Sequence, residues 1–506
     1  MPPLILCLLT LNPALQEAAE AKRPNFVFIL ADDMGYSDLG CWGSEIETPH
    51  LDSLAAAGVR FTQTYNTSKC FPSRACLLTG VWAQQVNMDR GPGEIRGAPT
   101  FGAVLGATGY RCFWSGKHHG TQNPVTTLGF ERYFGLRDGA CNYFNPGRPR
   151  SETEKPAQKR NNRAWCIDDQ TTQGWTPDDP DFYTTDAFTD WALKFLDTTR
   201  GDDRPFALYL AYNAPHDPLH ARPEDIARFA GRYDVGWPAI RDARVARQNE
   251  MKLFGEPVST SPADYRDWDE MKPEQRREEA RRMQVYAAMV HCMDRNIGRV
   301  REKLRELGEL DDTLILFASD NGGSAEVVRK GTGEIGSITR WASLQKRWAN
   351  VCNTPLRRYK NHSYEGGICT PMIAHWPSGI AEPGRIDHTP LHFVDVLPTM
   401  MELGRATQGR APAGPGLAPL SGCSFAPLLR GEALERKQPL FWKWAGGSAI
   451  RVGDWKLVRQ GKTWELYDLS RDRTEMHDLA AQEPERREEL IARWQKWWEE
   501  VGGKGS

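Results

Sequence analysis

Four times along this chain a mostly apolar run is followed within a few residues by a polar cluster. Asn25 to Leu30 leads to Asp32 and Asp33, and Tyr110 to Trp114 leads to Lys117 and His119. Phe206 to Leu210 leads to His216, and Thr313 to Phe317 leads to Asp320 and Asn321. Residues that are apolar on consecutive rather than alternate positions belong to strands covered on both faces, as in a parallel sheet between helices. Open sheets of that kind bind ligands beyond the carboxyl ends of their strands. One polar cluster so placed is commonplace; four direct chemistry to a single edge of one sheet. The expected fold is α/β, with a large, mostly parallel central sheet flanked by helices.

Helical spacing supplies the covering layers. Leu51, Leu54 and Ala55 mark a short helix from Pro49 to Gly58, and Phe101 to Gly109 reads as another. Phe188, Ala192, Phe195 and Leu196 mark a third. Met283, Tyr286, Val290, Met293, Ile297, Val300, Leu304 and Leu307 form a long amphipathic stripe that stops at Gly308. Val59 to Tyr65 and Met372 to His375 read as further strands. The stretches 139–181, 223–275 and 324–353 lose their periodicity and are expected to be irregular insertions. Proline and glycine gather from Pro412 to Pro419, and beyond Gln438 short alternating strands appear around Trp442, Ile450 and Leu457. A closing helix is expected from Pro484 to Trp498. The domains expected are thus 22–435 and a small α+β unit at 436–506.

The apolar run Leu4 to Leu11 is too short to span a bilayer and is followed by Ala19-Glu20-Ala21, a small-x-small cleavage pattern. Residues 1–21 read as a signal peptide, which makes the expected location periplasmic or secreted. The 64 basic and 66 acidic residues nearly cancel, so no bulk field favours nucleic acid or an anionic membrane. Anion binding must come from a few focused side chains. Eleven cysteines without C-x-x-C spacing give neither a zinc site nor a dense disulfide framework.

Asp32, Asp33, Asp320 and the side-chain carbonyl of Asn321 are hard oxygen ligands, suited to calcium or magnesium and poorly suited to zinc. Arg74, Lys117, His119, His216 and Lys360 are cations and donors able to hold a tetrahedral oxyanion. Between these groups lies Cys70-Phe71-Pro72-Ser73-Arg74, which continues to Thr79-Gly80. It pairs a nucleophile precursor with a permanent cation. Pro72 is expected to stiffen a turn with Phe71 extended, and Ser73 to cap the helix that follows.

C-x-P-S-R followed by x-x-x-L-T-G resembles the signature of the formylglycine-dependent sulfatases. The resemblance extends over the chain through Asp32-Asp33, Gly116-Lys117-His118-His119, His216, Asp320-Asn321-Gly322, and Lys360 ahead of Glu365-Gly366-Gly367. Arg357-Arg358-Tyr359-Lys360 is most similar to the arylsulfatase branch. The resemblance implies an alkaline-phosphatase-like fold with a four-stranded C-terminal antiparallel sheet and a closing helix. It also implies that a formylglycine-generating maturation enzyme oxidises Cys70 to formylglycine, whose hydrate is the nucleophile. Calcium, or magnesium, would be held by Asp32, Asp33, residue 70, Asp320 and Asn321. Arg74, Lys117 and Lys360 would stabilise the nucleophile or the sulfuryl oxygens, and His216, with Lys360, would protonate the leaving oxygen. His119 would take the proton that releases sulfate, and Asp320 would help to activate the hydrate.

The substrate so implied is an aryl sulfate or a sulfated carbohydrate. A phosphonate or phosphate ester hydrolase with the same motif is the rival enzyme. A non-catalytic binding protein has little physical need for the complete set. His118 and Cys76 are expected to be packing residues and the tryptophans mostly core. The N-x-S/T patterns at Asn66 and Asn361 are read as coincidental.

Overall fold

β1 (Asn25–Asp32) is buried along all eight residues, as the run Phe26-Val27-Phe28-Ile29-Leu30 requires. In this computed structural model, which describes residues 22–159, 163–263, 268–406 and 417–503, β1 is the axis of the fold. The leader expected at 1–21 lies outside the described residues, as does 412–416 of the proline and glycine cluster.

Strands β2 (Val59–Tyr65), β3 (Arg111–Gly116), β4 (Arg132–Leu136), β5 (Ala164–Ile167) and β6 (Gln170–Gln173) follow in the chain. β7 (Phe206–Pro215) and β8 (Thr313–Ser319) flank β1, both parallel to it. β9 (Arg329–Gly331) and β10 (Arg340–Ala342) form a separate hairpin. β11 (Cys369–His375), β12 (Ile386–Asp387) and β13 (Leu391–His392) complete a main sheet of eleven strands among the described residues. Its order is β12-β2-β11-β8-β1-β7-β3-β4-β5-β6, with β13 beside β2.

The sheet is parallel through its centre, from β8 to β4, and antiparallel where β11 joins β2 and β8 and where β5 joins β4 and β6. It is therefore mixed, with the parallel part where the four apolar runs lie. The helices Pro273–Glu306 and Thr184–Asp197 cover it, burying Met283, Tyr286, Val290, Met293 and Ile297 on one and Phe188, Ala192 and Phe195 on the other.

Three expectations of irregular chain are corrected. The 139–181 stretch contains β5 and β6, and β6 is mostly exposed, so no apolar run betrays it. The 223–275 stretch contains helices Pro223–Ala227 and Gly236–Glu250; the second is anchored by buried Arg244, which pairs with Asp38 at 2.7 Å and Glu45 at 2.8 Å. The 324–353 stretch holds the β9–β10 hairpin and the helix Gln345–Cys352.

The reading of the motif's backbone is corrected as well. The helix begins at Cys70, with extended Lys69 before it, so Phe71 is helical and Pro72 lies in the first turn. Proline is tolerated there because the first-turn N–H groups have no helical partner anyway. Ser73 is inside the helix, and its hydroxyl receives the Thr67 backbone N–H at 2.9 Å instead of capping.

β14 (Leu440–Trp444), β15 (Gly447–Val452), β16 (Trp455–Gln460) and β17 (Trp464–Asp468) form the antiparallel C-terminal sheet, closed by the helix Pro484–Glu500. Trp442 donates to the Asn66 carbonyl at 2.7 Å. Buried Glu365 receives Lys456 at 2.8 Å, Tyr65 at 2.8 Å and Arg473 at 3.1 Å. This polar core ties the small sheet to the segment carrying Lys360. Cys76, Trp42, Trp114 and Trp348 are packing residues within the core, as expected. Asn66 is buried too. No described helix is long and apolar enough to cross a membrane.

Candidate active site

The carboxyl ends of β1, β3, β7 and β8 converge on the first turn of the Cys70–Thr79 helix. Asp32 is the last residue of β1; Asp33 follows it in the left-handed region, at φ 66°. That conformation is uncommon for a residue with a side chain, and here it lets two consecutive carboxylates enter one site instead of opposite faces. Gly116 ends β3 at φ 121°, where an added Cβ would lie 1.9 Å from the Ala211 carbonyl oxygen. Only glycine fits there, and Lys117 and His119 are delivered just beyond it.

Asp32 is paired with Lys117 and lies 3.8 Å from Arg74. Arg74 donates to Asp320 from Nε at 2.9 Å and to the Lys117 carbonyl from Nη1 at 2.9 Å. Lys360 reaches the Asp33 carboxylate at 2.8 Å and Glu326 at 3.3 Å. His216 places Nε2 3.5 Å from Asp33 and Nδ1 3.0 Å from Asp217, whose other oxygen receives the Ser343 hydroxyl. Asn321 donates to Asp33 from Nδ2 at 2.7 Å. Among the sites expected from sequence, Asp32, Asp33, Cys70, Arg74, Lys117, His216, Asp320, Asn321 and Lys360 are all buried together. His119 is half-buried, with its ring 5.6 Å from that of Phe71.

Burial raises the Asp33 carboxyl, but His216 and Lys360 more than offset this and hold it below the usual range. Asp320 is pushed up to about 7 by burial and by Asp32 beside it. Burial would lower Lys360, yet Asp33 and Cys70 keep it well above the ordinary lysine value. The Cys70 thiol is raised by burial, against the pull of Lys117 and Lys360. His118, against Trp114, is held down to about 3 by burial and Arg74, in keeping with a packing role.

Oxygen or sulfur atoms of Asp32, Cys70 and Asp320 lie within 4.8 Å of one another, and so do ligand atoms of Asp32, Asp33 and His216. Asp32 Oδ1 and Asn321 Oδ1 are buried without a hydrogen-bond partner. Buried oxygens left unsatisfied amid three carboxylates fit a hard cation with oxygen ligands.

A cavity of about 530 Å³ opens onto Cys70, His119 and His216, with Lys69, Arg137 and Glu326 also in its lining. Sequence reasoning missed Glu326, Asp217 and Ser343. Asp217 adjoins His216 in the chain, which is a usable signal; Glu326 and Ser343 lie in a stretch without periodicity.

The sulfatase family model matches residues 24–406, and the model for the N-sulphoglucosamine sulphohydrolase C-terminal region matches residues 358–501. An uncharacterised sulfatase of Schizosaccharomyces pombe is 31% identical over 97% of this chain and 96% of its own. An arylsulfatase of Klebsiella aerogenes is 32% identical over 84% of this chain and 96% of its own. Among solved structures, Ps i-CgsB in complex with k-i-k-neocarrahexaose is 26% identical with a TM-score of 0.69, covering 94% of this chain and 93% of that one. Sequence and fold agree, and the chain belongs to the sulfatase family, as an arylsulfatase-like enzyme.

Proposed function

We propose that the chain hydrolyses a sulfate monoester, of a phenol or a carbohydrate, through residue 70 after its oxidation to formylglycine. The observation that carries this is the meeting of Cys70 with Asp32 and Asp320 within 4.8 Å, at the floor of a cavity open to His119 and His216. Formylglycine would supply a hydrated aldehyde oxygen as nucleophile, and calcium or magnesium on Asp32, Asp33, Asp320 and Asn321 would make that oxygen more acidic.

The chain's own residues do the rest. Arg74 fixes the Asp320 carboxylate and, with Lys117 and Lys360, concentrates positive charge where sulfuryl oxygens bear their negative charge. The Asp217 backbone carbonyl receives His216 Nδ1 at 2.7 Å, with the Asp217 carboxylate 3.0 Å away, which leaves Nε2 to pass a proton to the departing oxygen. His119, which lines the same cavity as His216, stands to take a proton once the ester bond has broken. Cys70 is wholly buried, so a maturation enzyme must reach it before the helix docks. We further propose export, with residues 1–21 as leader. A sulfated saccharide is the substrate class we favour, and the similar structure Ps i-CgsB was solved in complex with k-i-k-neocarrahexaose.

The test compares an aryl sulfate with the matching aryl phosphate and phosphonate. The protein is co-expressed with a formylglycine-generating enzyme and supplied with calcium, with Cys70→Ala as control. A strong sulfate preference absent from the control is expected. Preference for a phosphorus ester would move the activity to the rival class, and full activity of Cys70→Ala would sink the mechanism.

A further inference from the structure

The outer wall of the cavity carries cations that the proposed chemistry does not use. Arg137 directly follows β4, and Arg163 directly precedes its neighbour β5. Lys159 projects from the insertion between them, exposed at the cavity mouth. All three line the same cavity as Cys70.

The wall is held against the reacting groups by backbone. The His119 N–H donates to the Arg137 carbonyl at 2.9 Å, and the Arg137 N–H donates to the Ala164 carbonyl at 3.0 Å. A Cβ on Gly139 would lie 2.6 Å from His119 Nε2, so the 137–140 segment lies directly on that ring. The second side of the wall is fixed too. Asn142 donates to the Ile338 carbonyl at 2.8 Å, and Ala157, Trp341 and Val328 pack together, joining the insertion to the β9–β10 hairpin.

The acidic groups of the cavity are already engaged. Asp138 receives the Ala164 N–H at 2.5 Å, and Glu326 lies between Lys69 at 3.1 Å and Lys360 at 3.3 Å. Arg137, half-buried, makes no ion pair with any carboxylate among the described residues. A half-buried guanidinium lining a cavity proposed to hold one sulfate ester is poorly used by a substrate with a single charge. Its planar donor fork matches a carboxylate or a sulfate.

We propose that Arg137 and Lys159 form a second anion subsite, which takes a carboxylate or a further sulfate on the saccharide that carries the scissile sulfate. The substrate is thereby a polyanionic sulfated saccharide, and a simple aryl sulfate occupies only the inner half of the cavity. This inference rests on reading the cavity as a sulfate-ester site.

The test uses calcium-loaded full-length Cys70→Ala protein, which cannot turn over, in titration calorimetry at low and at physiological salt. The probes are a monosulfated disaccharide with a neutral second ring, its analogue sulfated on both rings, and its analogue with a uronate as second ring. At least one doubly anionic probe should bind at least tenfold tighter than the monosulfated one. Arg137→Ala in the same protein should bring that ratio to within about twofold, Arg137→Lys should restore part of it, and Lys159→Ala, at an exposed position, should lower it part-way. A gain with sulfate alone, or with carboxylate alone, supports the subsite and names its anion. Equal affinity for all three probes, or a preference that survives both alanine substitutions, overturns it. Turnover by matured wild-type enzyme is read separately. If an aryl phosphate is hydrolysed and an aryl sulfate is not, the sulfatase reading fails, and the binding ratios still decide the subsite.

Discussion

Arg74 grips Asp320 through two nitrogens, Nε at 2.9 Å and Nη2 at 2.8 Å, with neither side chain in contact with solvent. A third nitrogen holds the Lys117 carbonyl, so one guanidinium fixes the ends of β3 and β8 relative to the helix of Cys70. Lysine keeps the charge but not the fork. Arg74→Lys should retain the fold and lower kcat/KM by about 10²- to 10³-fold, the loss typical of one misplaced electrostatic group in an active site. Arg74→Ala leaves Asp320 buried beside Asp32 without its partner and should cost about 3–5 kcal/mol of stability. Steady-state kinetics and thermal melts check the two; Arg74→Lys with unchanged kcat/KM would show that the fork is dispensable.

The orphaned oxygens of Asp32 and Asn321 make a prediction about metal. Calcium should raise the melting temperature of the folded protein, by an amount worth about 2.7 kcal/mol at a hundredfold excess over Kd. A chelator should reverse the rise and remove turnover together. Asn321→Ala should weaken calcium binding without preventing folding, because it removes one oxygen and leaves three carboxylates. A melting temperature indifferent to calcium in the wild type would contradict the cation site.

The strands at the centre of the sheet were legible because burial on both faces leaves an unbroken apolar run, as in β1, β7 and β8. The residues at their ends were legible for the same reason: a carboxylate or cation just after such a run has few other places to be. β5 and β6 were not, since a short edge hairpin with residues as exposed as Gln170 and Gln173 carries no hydrophobic period. Ser73 misled through its chemistry. A serine beside a proline is a good cap, but the helix starts three residues earlier and the hydroxyl serves Thr67. Glu326 was invisible because its role comes from Lys69 and Lys360, one distant and one very distant in sequence, meeting over it.

Lys456 stands between Glu365 at 2.8 Å and Glu475 at 2.7 Å, and all three are fully buried. Removing the ammonium leaves two carboxylates facing each other in a dry interface. Burial and Glu365 already push the Glu475 carboxyl up to about 7. Lys456→Met should destabilise the protein by about 3–5 kcal/mol. It should also depress activity beyond what the loss of folded protein explains, since Glu365 begins the turn that follows Lys360. Activity per folded molecule, from calorimetry and kinetics on the same sample, checks this; unchanged specific activity would mean that the small sheet does not position Lys360.

Asp294, on the long helix, receives the backbone N–H groups of His50 at 3.1 Å and Leu51 at 2.7 Å, at the start of the Pro49–Ala56 helix. Burial outweighs those donors and pushes its carboxyl up to about 7. The folded state therefore holds a proton that the unfolded chain gives up near pH 4. Between about pH 4 and 7 the native state binds more protons than the unfolded one, so the sign is a loss of stability as pH rises. The contribution is full below the unfolded pKa and has gone above the folded one. Asp294→Asn cannot ionise, so the difference between its melting temperature and that of the wild type should grow across this window in favour of the variant, and level off above it. Parallel melting curves from pH 4 to 8 would mean that the two N–H donors and the helix end hold the carboxylate ionised despite its burial, and that Asp294 stabilises the start of the helix at neutral pH.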